Sequence, residues 1–327
     1  MKLEIIQHLN QCKLIDNDAF PFIFQEDLLQ LQIEEINEIG LIDHNKLDIS
    51  EDHLKSKITR IIDHHVDNKL YQDTLKEKEI QLIGSAATLV IEKLQTEFSE
   101  SIDKEMAMFL LAPIVLDSFF FNENLKGSKW TEQDLNAYNY LVKVAEIDNG
   151  KEYFDNLYNA ISNIELNLHL GINTLLIKDF KTYFVLQEGY KGVGVSSTFV
   201  PMRVLLKHFT FEAISQAFDK LMIERNLGLM AIISNYQDQE DNGKYHKQLL
   251  VYMNEDISRK IENQFDDFTS FLQEYKDFGL VDKIELTLEN AQNENVRAVM
   301  WEIGNTKYSR KNFEVLLNQF YNQQSKM

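Results

Sequence analysis

Twice in the first half of the chain an apolar run stops on an aspartate beside a histidine: GLIDHN (residues 40–45) and ITRIIDHH (residues 58–65). Runs this short and apolar read as strands buried in a sheet. A helical pattern covers residues 28–39, and IQLIG (residues 80–84) reads as a third buried strand. Ser85 is a plausible N-cap for a helix running through TLVIEKL. Another helix holds residues 109–116 and ends on Asp117, although its apolar run is equally compatible with a strand. Strands alternating with helices indicate an α/β fold with a parallel sheet.

The second half has a different rhythm. LGLMAIISN (residues 227–235) and KQLLVYM (residues 247–253) flank QDQEDNGKY, whose Asn-Gly marks a hairpin. VRAVMWEIG (residues 296–304) reads as a further strand, with helices around 209–224, 257–274 and 310–323. This pattern predicts a smaller α+β domain with an antiparallel or mixed sheet. At about 150 residues per domain, 327 residues predict two domains. The polar stretch at 148–151 sets the boundary, giving 1–149 and 150–327, and the opening MKLEIIQHLNQ reads as a short amphipathic helix.

Charge narrows the function. With 33 basic against 52 acidic residues the net charge is −19, a surface that repels nucleic acid and anionic membrane. The most apolar stretch, residues 106–121, is interrupted by Pro113 and Asp117 and is too short to span a bilayer. No secretory signal opens the sequence. The lone Cys12 has no internal disulfide partner and suits a reducing compartment, so a cytoplasmic protein is expected.

In an open parallel sheet, ligands bind beyond the carboxyl ends of the strands. Two neighbouring ends carrying Asp43 and Asp63-His64-His65 can converge on one divalent cation, with Asp117 as a third carboxylate. Mixed carboxylate and imidazole ligands suit Mn²⁺, Mg²⁺, Co²⁺ or Zn²⁺. Any one of these residues alone is more often a strand end or helix cap; their combination points to a metal. His8, His53, His169, His208 and His246 lack such a context and read as ordinary surface or core residues.

IIDHHVD resembles the signature of the DHH phosphoesterase superfamily, and GLIDHN resembles the second aspartate motif of family II inorganic pyrophosphatases. LIGSAATLV is similar to the Gly-Ser-x-x-Thr segment that follows, and APIVLDSFFFNENLKGSKWTEQD to the next motif. In the second half KDFK (residues 178–181) resembles the family's lysine motif and YSRKNF (residues 308–313) its Ser-Arg-Lys motif. The motifs occur in the family's order, and the nearest resemblance is to the exopolyphosphatase and prune-like branch. No GGGH-like segment, the hallmark of the nuclease and dinucleotide-cleaving branch, is found.

The resemblance implies a metal-dependent hydrolase of pyrophosphate or polyphosphate, using Mn, Mg or Co, with its active-site cleft between two domains. Asp43, His64 and Asp117 would bind metal, Asp63 would sit in or beside the coordination shell, and His65 would contact the ion's surroundings or the substrate. Lys181, Arg310 and Lys311 would close onto phosphate, arginine through paired donors and lysine as a point charge. The family's first motif, an apolar strand ending in His or Asn and two aspartates, has no counterpart here. MKLEIIQHLNQCKL resembles the helix that follows it. One divalent site is therefore expected to keep its ligands and a second to lack them. The alternative is a catalytically inactive subunit of a larger complex, with a protein partner covering the edge left by the absent strand.

Overall fold

The computed structural model describes residues 8–9, 12, 33–47, 49–97, 102–183, 191–238, 241–258, 264–287, 295–306, 308 and 310–324. By its internal packing the chain divides into two units, Met1–Ala160 and Ile161–Met327. Most of the segment expected to form the opening amphipathic helix, and most of the helical pattern over 28–39, lie outside the described residues.

The first unit is built on a parallel sheet in the order β1 (Ile39–Ile42), β2 (Ile58–Asp63), β3 (Glu77–Ile80). Among the described residues its core holds Leu41, Ile58 and Ile61, with Ile39, Leu47, Tyr71, Leu75 and Ile80 against them. Four helices follow, α1 (Ala86–Glu97), α2 (Lys104–Asp117), α3 (Glu132–Val144) and α4 (Gly150–Ser162). Their inward faces share a second core around Ile91, Leu111, Ile114, Leu141, Phe154 and Leu157. The apolar run around Pro113 is a helix; the Asp103 side chain caps it by accepting from the Met106 N–H at 2.8 Å.

Three consecutive residues after α2, Phe119, Phe120 and Phe121, take left-handed backbone angles with φ of 49°, 49° and 56°. Such angles are unusual outside glycine. Here the rings compensate: Phe120 stacks on Phe154 with centroids 5.7 Å apart, and Phe121 meets Trp130 edge-on at 5.4 Å.

The second unit opens with α5 (Ile164–His169), α6 (Gly171–Lys178), β4 (Phe180–Tyr183), β5 (Gly192–Thr198), α7 (Met202–His208) and α8 (Phe211–Glu224). It continues with β6 (Leu227–Asp238), β7 (Lys244–Asn254), α9 (Glu255–Ser258), α10 (Gln264–Glu274), β8 (Leu280–Leu286), β9 (Val296–Ile303) and α11 (Arg310–Gln324). Its six-stranded sheet has the order β4-β5-β6-β7-β9-β8. The β5–β6 pair is parallel and the others antiparallel, so the sheet is mixed. One face packs on Phe268, Phe313 and Leu317 from α10 and α11, the other on Leu205, Phe218 and Met222 from α7 and α8. The β6–β7 hairpin turns at Asn242 and Gly243, both at positive φ. The Gly243 N–H donates to the Asp238 carbonyl at 2.8 Å, closing a loop between paired Asp238 and Lys244 that is longer than a two-residue Asn-Gly turn.

The structure corrects four expectations. The third strand is EKEI (residues 77–80), displaced toward the N-terminus from the expected 80–84, and it is part-exposed rather than buried. It lies at the sheet's edge, where charged residues are tolerated and discourage further pairing; Leu82, expected inside, is 70% exposed. The first strand ends at Ile42, which leaves Asp43 in the following loop, and it begins at Ile39, which the periodicity had assigned to a helix. Among the described residues only Ile33–Glu35 of that stretch forms a helical turn. The stretch 257–274 holds α10 and the end of the separate α9, with 259–263 outside the described residues. Among the described residues no helix is long and apolar enough to cross a membrane.

Candidate metal site

The β1–β2 register carries both motifs to the same end of the sheet. Ile42 pairs with Ile62, and the Asp43 N–H continues the ladder by donating to the Ile62 carbonyl at 3.0 Å. Asp43 then turns out of the strand with φ of 67°, an angle that aspartate tolerates better than most residues. Asp43, His64 and His65 each offer one ligand atom, all within 4.8 Å of one another. The Asp43 side chain is 65% exposed, so an ion can reach it from solvent.

Hydrogen bonding sets the state of His64. Its Nδ1 lies 3.2 Å from the Ile83 carbonyl, which can only accept, so Nδ1 carries a hydrogen. In the neutral ring Nε2 is then the lone-pair nitrogen, and it sits 3.0 Å from Asp43 Oδ1. A ligating histidine commonly has its other ring nitrogen held by a carbonyl or carboxylate in this way. Burial works against charge on His64, but the hydrogen bonds to Asp43 and Ile83 and the charge of Asp117 outweigh it and raise its pKa above the usual 6.5. Burial likewise opposes ionisation of Asp43, yet His64 and His65 hold its pKa below the usual 3.8. A proton on His64 therefore meets the charge that a cation would otherwise meet.

Asp63 lies beneath this cluster with no exposed surface. Its Oδ1 accepts from the N–H groups of His64 (2.8 Å) and His65 (3.2 Å) and from His65 Nδ1 (2.7 Å). Its Oδ2 accepts from Asn45 Nδ2. These partners overcome the burial that disfavours its charge, and its pKa falls below normal. Asn45, itself 3% exposed, ties the two motif loops together. It also donates to the Val66 carbonyl (3.1 Å) and accepts from the Asn68 N–H (3.0 Å) and side chain (2.6 Å).

Asp117 is the last residue of α2. Burial raises its pKa, against a hydrogen bond from Ser85 and the charge of His64, while Asp43 pushes the same way as burial. A carboxyl so placed is costly to ionise without a cation, which makes it a fitting further ligand. It stands outside the tight group formed by Asp43, His64 and His65. One carboxylate with two imidazoles, a second carboxylate nearby and an open face form a donor set suited to a divalent transition ion.

In the second unit Lys181 sits on β4 opposite Val195 and faces solvent. Arg310 opens α11; its Nη2 is 2.8 Å from Asp179 Oδ1, and its Nη1 donates to the Asp179 carbonyl at 2.8 Å. The lysine and Ser-Arg-Lys motifs therefore meet at Asp179, which sequence reading had not singled out. The Lys311 side chain lies outside the described residues.

An α/β protein with a parallel-sheet unit bearing Asp and His at its strand ends, followed by a mixed-sheet unit, has the architecture of the family II inorganic pyrophosphatases. The crystal structure of a putative family II inorganic pyrophosphatase from Methanococcus jannaschii superposes with a TM-score of 0.64 at 17% identity, covering 98% of this chain and 88% of that one. Exopolyphosphatase PRUNE1 of Mus musculus is 27% identical over 194 residues, 57% of this chain and 39% of that protein. A probable manganese-dependent inorganic pyrophosphatase of Bacillus velezensis is 27% identical over 221 residues, 66% of each chain. One from Oceanobacillus iheyensis is 32% identical over 119 residues, 36% of this chain and 37% of that one. No protein-family model matches. The chain is thus a homologue of PRUNE1 exopolyphosphatases and manganese-dependent pyrophosphatases, consistent with a prune-like relative in the DHH superfamily. It spans well under half the length of the exopolyphosphatases it matches.

Proposed function

We propose that the chain is a metal-dependent hydrolase of phosphoanhydride bonds in pyrophosphate or polyphosphate. The observation that carries this reading is the Asp43–His64–His65 cluster, with His64 held in the tautomer that turns Nε2 toward Asp43. The names of its relatives point to the same substrates.

Asp43, His64 and Asp117 would hold a divalent ion such as Mn²⁺, Mg²⁺ or Co²⁺, which would supply Lewis-acid stabilisation of phosphoryl charge. Asp63, with both oxygens engaged, acts in this reading as a positioning residue rather than a ligand. It orients His65, whose Nδ1 it holds, toward the reacting phosphate. In the second unit Lys181, Arg310 and Lys311 are the cations for phosphate oxygens, Arg310 with its guanidinium oriented by Asp179. A cytoplasmic setting accords with such substrates.

The test is phosphate release from pyrophosphate, tripolyphosphate and long polyphosphate with each of the three ions, comparing wild type with Asp43→Ala. Turnover abolished by the substitution supports the proposal. A chain that binds the ion yet releases no phosphate would instead be the non-catalytic subunit of the alternative expectation. Metal uptake unchanged by Asp43→Ala would rule out the site itself.

A further inference from the structure

We infer that Asp134, which belongs to none of the ligand or phosphate-binding sets above, is a positioning residue that orients two metal-ligand candidates at once. The inference rests on the metal-site reading and extends it.

Asp134 lies in the first turn of α3 and has no exposed surface. Among the described residues its hydrogen-bond partners include no cation. Its carboxylate instead accepts from five donors on two segments: the N–H groups of Gly84 (2.9 Å) and Ser85 (3.2 Å), the Thr88 hydroxyl (2.8 Å), and the N–H and hydroxyl of Thr131 (2.8 and 2.9 Å). Two of these are the ordinary work of a helix start. The other three reach across to the turn between β3 and α1, at Gly84 and Ser85, and to Thr88 in the first turn of α1.

That turn acts on the metal cluster from two positions. The Ile83 carbonyl accepts from His64 Nδ1 and so fixes the ring's tautomer and direction. The Ser85 side chain stands near enough to Asp117 to favour its ionised carboxylate against burial. Gly84, between them, is held against Asp134 so closely that a Cβ there would stand 2.6 Å from the Lys129 carbonyl and 2.9 Å from the Asp134 carboxylate. A turn held at Gly84 and Ser85, with Thr88 held just beyond, has little freedom to carry His64 or Asp117 away from the ion. Groups that hold metal ligands in this indirect way typically affect affinity tenfold to a hundredfold.

The experiment is Mn²⁺ binding to the full chain, by calorimetry and by the Mn²⁺ electron paramagnetic resonance signal. Wild type is compared with Asp134→Asn, Ser85→Ala, their double variant and Ala137→Gly. The last variant weakens the same helix without touching the turn, at a backbone cost typical of glycine. Asp134→Asn turns one acceptor into a donor facing N–H groups and should weaken Mn²⁺ binding about tenfold or more. Adding Ser85→Ala should cost less than it does alone, because Asp134 acts partly through Ser85, and Ala137→Gly should leave affinity within about twofold of wild type. If Asp134→Asn fails to fold, Thr88→Val removes one donor of the five and should weaken binding severalfold.

Unchanged affinity in Asp134→Asn, or in Thr88→Val where that variant replaces it, overturns the inference while leaving the metal site standing. So does an equal loss in Ala137→Gly, which would make the effect one of general stability. A wild-type chain that takes up no Mn²⁺ overturns the metal-site reading and this inference with it.

Discussion

The two sheets use buried polar groups differently. Among the described residues the three-stranded sheet has a slim apolar core, and around its strand ends lie Asn45, Asp63 and, from α3, Asp134, all buried and all hydrogen-bonded. The six-stranded sheet is lined on both faces by large apolar clusters. A buried carboxylate without partners is costly, so the first sheet's polar centres persist only because each meets several donors. The difference teaches where each property resides: cohesion in the second sheet's packing, and the proposed metal site at the first sheet's hydrogen-bonded ends.

The comparison breaks most readily at Phe268, fully buried in the second unit. Phe268→Ala should cost about 3–5 kcal/mol in denaturant unfolding. Mn²⁺ affinity of the folded variant should stay at the wild-type value; a matching loss there would erase the division of labour. Next in size is Asp63→Ala, which leaves the His64 and His65 N–H groups, His65 Nδ1 and Asn45 Nδ2 without their acceptor. Its expected cost is about 3 kcal/mol, accompanied by weaker metal binding, both readable from unfolding curves with and without Mn²⁺.

Asp43→Ala sharpens the contrast from the other side. That side chain is mostly exposed, but it sits at positive φ and meets His64, so stability without metal should fall by about 1 kcal/mol. Mn²⁺ affinity should fall at least about tenfold, as for residues that govern a metal's hold.

The smallest effect is a pH dependence. A proton competes with the ion for His64, so Mn²⁺ affinity should rise with pH through the elevated pKa of His64 and level off above it. Without metal the sign reverses. His64's contribution to stability is fully present below its ordinary pKa of 6.5 and is lost as pH rises through its higher folded value. Metal titrations and unfolding curves between about pH 6 and 9 would show the two trends diverging; parallel trends would mean that His64 is not the competing group.

Much of this was legible in the sequence. The apolar runs ending in DHN and DHH announced a parallel sheet with polar residues at one end, and the Asn-Gly dipeptide announced the hairpin. EKEI was not legible as a strand because edge position, which permits its charges, is a property of the sheet and not of the segment. Asn45 was quoted within its motif without a role, since its four hydrogen bonds go to residues 18 to 23 positions away. Asp134 closed the TEQD end of a resembling motif and carried no role there. Its grip on Gly84, 50 positions earlier, leaves no periodic trace. Asp179 was hidden between two lysines that drew the attention of any phosphate-seeking reading.

The left-handed turn at Phe119, Phe120 and Phe121 bears on which sequences this fold can accept. Each such residue carries a conformational cost of about 1–2 kcal/mol that glycine would not incur. At Phe119, 43% exposed, glycine would relieve that cost while losing little packing. At Phe121, whose ring meets Trp130 and Tyr138, the same change would forfeit the contacts that offset it. The segment just past Asp117 should therefore tolerate variation at its first position and resist it at its third, a gradient of mutability set by aromatic packing within three adjacent residues.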